Sequence, residues 1–267
     1  GMVFQGGGPL DTGSVSGGGG GGGVGRIAVG GGAGLIITIV ALFFGIDPGS
    51  LTGGSSSYGG GTSNSRDVAQ INDHIRSCTI EKANVDTICR IVATTNSLDD
   101  VWSDLMPGYT PPSTKIFTGS VSTGCGPATS ATGPFYCPAD AKAYLDTDFF
   151  ATLSQQLGAK GDFAAAYVIA HEVAHHVQNE LGILGQVDEA RRSSGQTEAN
   201  ALTVRLELQA DCLAGVWAYH ADNGPDAMLE PLTPAQIDTV IQTAKAIGDD
   251  TIQGANSNPE GWTHGSS

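Results

Sequence analysis

Two histidines stand four residues apart in His171-Glu172-Val173-Ala174-His175, with a glutamate directly after the first. On a helix that spacing puts both imidazoles on one face, one turn apart, where they can grip a single Zn²⁺ while Glu172 reaches a metal-bound water. This is hydrolytic chemistry. Zinc used for catalysis takes three protein ligands and keeps a fourth position for water, so a third ligand is required. Glu207 is the best candidate, in Leu206-Glu207-Leu208-Gln209-Ala210-Asp211-Cys212, with Asp211 one helical turn further on. One of these acids can bind the metal while the other accepts the outer N–H of a ligand histidine and so fixes its tautomer and orientation. The plain alternative, a solvated acidic face, fits poorly with the apolar residues on either side.

The elements that must carry these groups are visible in the apolar spacing. A helix is predicted over residues 162–181, with Asp162 as N-cap, Phe163, Tyr167, Ala170, Ala174, Val177 and Leu181 on its inner side, and Gly182 as a stop. A second runs from about Thr197 to about Gly224, with Leu202, Leu206, Leu213, Val216 and Trp217 as its apolar positions. Residues 67–77 and 98–105 also look helical. The capping box Thr233-Pro234-Ala235-Gln236 opens a helix predicted to reach 248. Short strands are expected over 115–121 and 142–145.

The chain resembles a known family, the neutral zinc metallopeptidases anchored in bacterial membranes. The matching pieces are Thr123-Gly124-Cys125-Gly126, Gly133-Pro134-Phe135-Tyr136-Cys137-Pro138-Ala139-Asp140, the stretch 161–182 with HExxH, the stretch 207–217, Ala246-Ile247-Gly248-Asp249-Asp250 and Thr263-His264-Gly265-Ser266. Together they cover roughly residues 98–267. The resemblance implies zinc ligands His171, His175 and Glu207, Glu172 as catalytic base, Asp211 as a supporting acid, and a gluzincin-like pattern. It also implies an α+β, mainly α, zincin-like domain with a small β-sheet, whose edge strand beside the HExxH helix aligns a peptide by β-addition.

Composition divides the chain. Of 40 glycines, 24 precede residue 67, including the run 17–23, so residues 1–26 are expected to be disordered. Residues 27–46 carry no charge and are long enough to cross a bilayer, which predicts a single transmembrane helix. No small-x-small cleavage site follows, which counts against a signal peptide. A Gly/Ser-rich linker over 47–66 would then lead to a metallopeptidase domain over 67–267. Arg26 precedes the span and no basic residue follows before Arg66, which favours a single-pass protein with an extracytoplasmic catalytic domain. Cys78 and Cys89, and Cys125 and Cys137, are spaced for two local disulfides, with Cys212 left as a buried thiol. The net charge of −15 makes nucleic acid a poor partner.

Among the other histidines, His176 points about 100° away from His175 and is expected to be structural or exposed. His74 and His220 read as ordinary residues. His264 belongs to the family resemblance and is a candidate donor to a developing oxyanion. The function these readings favour is hydrolysis of peptide bonds by a zinc-activated water, with Glu172 moving the proton. Two alternatives stay open: a zinc-stabilised membrane-tethered binding module without catalysis, and a zinc hydrolase acting on a non-peptide amide such as cell-wall material.

Overall fold

The computed structural model describes residues 2–19, 65–129 and 132–238. Seven helices and six strands are formed there: β1 (Val15–Gly18), α1 (Ser65–Arg76), α2 (Ile80–Ala83), α3 (Thr87–Leu105), β2 (Ser113–Phe117), β3 (Ser120–Thr123), β4 (Gly126–Thr129), β5 (Phe135–Cys137), β6 (Lys142–Asp146), α4 (Thr147–Leu157), α5 (Ala159–Glu180), α6 (Ile183–Arg192) and α7 (Gln196–Ala221). The described residues form a mixed α+β fold. A four-stranded sheet has the order β1-β2-β6-β5, with β1, β2 and β6 parallel and β5 antiparallel at the edge. A separate hairpin pairs β3 with β4.

Three long helices make the core. α3 begins at Asp86, whose side chain caps the Cys89 N–H, and its buried face carries Ile91, Val92, Leu98, Val101 and Trp102. It is tied to α5 by the Arg90–Asp162 ion pair at 2.8 Å, and to α7 by the Trp217 indole donating to Ser97 at 3.0 Å. Asp162 therefore lies in the first turn of α5 and pairs across the core; the residue preceding the helix is Gly158. α4 crosses α5 so closely that a Cβ on Gly161 would lie 2.3 Å from the Leu153 carbonyl oxygen. Only glycine fits there.

The N-terminal segment overturns two expectations at once. Disorder is expected over residues 1–26, yet in the described part, 2–19, Met2, Phe4, Leu10 and Val15 are buried. Three asparagines hold the segment by its backbone. Asn84 accepts from the Phe4 N–H and donates to the Phe4 carbonyl, Asn96 does the same for Asp11, and Asn72 accepts from the Gly17 N–H. Glycine is used here for contact: a Cβ on Gly17 would meet Ile71 and the Val68 carbonyl at 3.0–3.1 Å, so α1 can lie directly against β1.

The transmembrane helix over 27–46 is corrected by the same pairing. Val15–Gly18 runs hydrogen-bonded beside Ser113–Phe117, and a single crossing between them would put neighbouring strands of one sheet on opposite sides of a bilayer. Residues 27–46 lie outside the described residues, and no helix among those described is long and apolar enough to cross a membrane. The folded core accordingly takes in residues before 67.

Other expectations shift less. The strand expected over 115–121 divides at Gly119 into β2 and β3. Thr233 and Gln236 form the reciprocal capping box, and the rest of the helix expected to 248 lies outside the described residues. Both disulfides form, Cys78–Cys89 and Cys125–Cys137, and Cys212 is exposed, against the expected burial. Cys78–Cys89 staples the end of α1 to the start of α3 inside the core. Replacing both by alanine is expected to cost on the order of 3 kcal/mol, because the 11-residue separation no longer restricts the unfolded chain. Thermal unfolding would show it as a drop of roughly 6–12 °C; an unchanged midpoint would count against a structural role for the bond.

Candidate metal centre

α5 presents HExxH to α7 across an interface of small residues. Ala170 and Ala174 on α5 and Ala210 and Ala214 on α7 are all buried, which lets the two backbones approach closely. The Gln178 carboxamide locks the pair by donating to the Leu206 carbonyl at 2.8 Å and to Gln209 at 3.0 Å. Glu207 and Asp211 thereby face His171 and His175.

The structure brings His171, His175 and Glu207 together in one buried group, with ligand atoms all within 4.8 Å of one another. The Glu207 carboxylate lies 2.9 Å from His171 Nε2 and 3.3 Å from His175 Nε2. A tetrahedral zinc with bonds of about 2.0–2.1 Å sets its ligands about 3.3–3.4 Å apart, so the spacing already approaches a coordination edge. The outer nitrogens are also held. His171 Nδ1 lies 2.8 Å from Asp211, and His175 Nδ1 lies 2.8 Å from the Gln178 side-chain oxygen. Each imidazole therefore turns Nε2 inward. Asp211 also accepts from the Tyr167 hydroxyl.

The electrostatics follow from burial. Burial lowers the His171 pKa, but hydrogen bonds and charges from Asp211 and Glu207 outweigh it and hold the ring well above the ordinary imidazole range. His175 is raised for the same reason, chiefly by Glu207 against desolvation. Glu172 is buried, and desolvation pushes its carboxyl up to about 7 against the pull of the two histidines and a hydrogen bond from the Tyr136 backbone N–H. Two imidazole nitrogens and a carboxylate oxygen, each imidazole oriented from behind, are a donor set that fits zinc.

Sequence reasoning missed Gln178. Its signal was available as a glutamine three residues after His175, one turn along the same face. It also missed Tyr136, which no spacing relates to the motif. His176 is buried and bonded at both nitrogens, and His264 lies outside the described residues. His74 pairs with Asp86 at 2.9 Å; its neighbours Cys78 and Cys89 are committed to a disulfide.

A buried pair of helical histidines on α5 thus faces an acid on α7. The chain belongs to the family described as “Putative neutral zinc metallopeptidase”, which it matches over residues 7–267, and zinc is the cofactor of that family. Among its relatives is the Mycobacterium tuberculosis protein Rv2575, 52% identical over 187 residues, 67% of this chain and 62% of the relative. The Escherichia coli protein YpfJ is 38% identical over 241 residues, 87% of this chain and 77% of the relative. The chain thus spans about three fifths of the length of the mycobacterial relatives it matches. Neither name carries an activity, and no solved structure matches the chain.

The carboxylate behind His171 gives a graded test. Asp211→Asn keeps an acceptor for the Nδ1–H but removes its charge, so zinc affinity is expected to fall roughly 10- to 100-fold with the fold retained. Competition against a chelator of known affinity measures it. Unchanged affinity would show that Asp211 does not support the metal.

Proposed function

We propose that this chain is a zinc-dependent endopeptidase of gluzincin type that hydrolyses peptide bonds outside the cytoplasm. The observation that carries the reading is the convergence of His171, His175 and Glu207 beside the buried carboxyl of Glu172. Zinc held there supplies Lewis acidity, acidifying a water and polarising the scissile carbonyl. Glu172 takes the water's proton on its carboxylate and passes it to the leaving amine nitrogen, so that one bond is cut and each product end is completed. The Tyr136 N–H, donating to Glu172, favours the ionised form that must receive the proton. Asp211 and Gln178 keep the two imidazoles in register throughout.

A structural zinc site has no use for a buried glutamate of this kind and is normally closed by a fourth protein ligand. The two disulfides support an oxidising compartment. The test is hydrolysis of a fluorogenic peptide library and of peptidoglycan by the zinc-loaded chain, with and without chelator. Chelator-sensitive cleavage of peptides is the expected result. Cleavage of peptidoglycan amides alone, or of nothing, would overturn it.

A further inference from the structure

His176 follows the HExxH motif directly, yet its ring serves a different contact. It is 1% exposed. Its Nε2 lies 2.6 Å from the Thr110 carbonyl, which can only accept, so Nε2 carries the proton; the Glu180 carboxylate lies 3.3 Å from the same nitrogen. Nδ1 is then the acceptor, and the Tyr136 hydroxyl 2.7 Å away must donate to it. Asn179 agrees: its amide N–H donates to the Tyr136 oxygen at 3.1 Å, leaving the hydroxyl proton for His176. The chain of donors from Asn179 through Tyr136 and His176 to Thr110 is closed and satisfied.

Tyr136 is the middle residue of β5, the edge strand that packs against α5, and its backbone N–H favours the ionised form of Glu172. One residue therefore meets the catalytic helix twice, by its N–H and by its hydroxyl. A strand of three residues has few ladder bonds to fix its register, and a slip of one residue moves it about 3.3 Å and turns every side chain to the other face. Such a slip would take the N–H away from Glu172. The disulfide from Cys137 to Cys125 ties β5 to the hairpin, while the bond to Thr110 ties in the segment that joins α3 to β2.

We propose that His176 is a positioning residue: through Tyr136 and Thr110 it pins the edge strand and the segment before β2 to the HExxH helix, and so sets where a bound peptide lies relative to Glu172. The inference rests on the peptidase reading. A misplacement near 1 Å at such a site is enough to cost on the order of 100-fold in rate.

The test uses the zinc-loaded full chain with Tyr136→Phe, which removes only the hydroxyl, and His176→Ala, which removes both contacts. Three quantities are read: zinc per chain, backbone hydrogen exchange over residues 134–138 and 108–113, and KM and kcat for a fluorogenic peptide that the wild type cleaves. Zinc content is expected to be unchanged, exchange in those two segments to quicken about tenfold or more with α5 unaffected, and kcat/KM to fall at least about tenfold, mostly through KM. If His176→Ala does not fold, Tyr136→Phe carries the test alone. A wild type that cleaves no peptide overturns the peptidase reading and this proposal with it. An active wild type whose folded variants keep both the exchange pattern and KM overturns the positioning role alone.

Discussion

Replacing Glu172 by glutamine is expected to leave zinc in place and to abolish peptide hydrolysis, with a loss in kcat of roughly 10²–10⁴-fold. The carboxamide has nearly the same shape, so the helix and the two flanking ligands are undisturbed; what it lacks is a site for the water's proton. Stability should move the other way. In the metal-free protein burial raises the Glu172 pKa from its ordinary value to about 7. A group raised in this way contributes stability that is full below its unfolded pKa and is lost as pH rises through the folded one. The wild type therefore loses stability on account of Glu172 as pH rises from about 4.5 to about 7, with no further loss above that, and the glutamine variant does not share that part of the loss. The difference between the two unfolding curves, followed from pH 5 to pH 8, isolates it. Turnover comparable to wild type at full zinc occupancy would remove Glu172 from the chemistry.

Opposite effects on rate and stability would mark Glu172 as a residue held for function. Glu172 is 3% exposed, and desolvation is the largest influence on it. A carboxyl kept there at a cost to the apo fold makes sense when a cation arrives alongside it.

Much of this centre could be read from residue spacing because its parts are local. The i, i+4 relation in His171 and His175, and again in Glu207 and Asp211, is a property of one helix and survives in the sequence. The Cys78–Cys89 and Cys125–Cys137 bonds also join near neighbours along the chain. What could not be read joins distant segments. Tyr136 reaches His176 across 40 residues, and Asn84 reaches Phe4 across 80. Neither pair leaves a period in the sequence.

The glycine-rich beginning misled for a related reason. Composition counts what a segment lacks, and Val15–Gly18 has little side chain to bury. It is held instead by parallel pairing to β2 and by Asn72 at the Gly17 N–H, while Asn84 and Asn96 take up the backbone groups of Phe4 and Asp11 upstream. Hydropathy over residues 27–46 likewise reports how that run prefers to be solvated. It carries no information that the strand before the run pairs with a strand after it, and that pairing decides the topology.

Glu207→Ala is expected to lose zinc as well as activity, and the loss should exceed the roughly 10- to 100-fold weakening expected for Asp211→Asn. Among the described residues, Glu207 is the carboxylate that lies beside both inward-facing nitrogens, so its removal leaves two imidazoles from a single helix and no ligand from α7. The metal would no longer bridge the two helices. That bridge has a thermal signature. Zinc held at about 1,000 times its dissociation constant stabilises the wild type by about 4 kcal/mol, or roughly 8–16 °C for a domain of this size. Chelator should remove that increment from the wild type and take little from the variant, whose melting temperature is already that of a metal-free protein. The variant also leaves the buried His171 with one carboxylate partner where it had two, so its metal-free form should melt below metal-free wild type. If dialysed Glu207→Ala still holds one zinc per chain and shows the wild-type response to chelator, the third ligand lies elsewhere, and Asp211 is the next residue to remove.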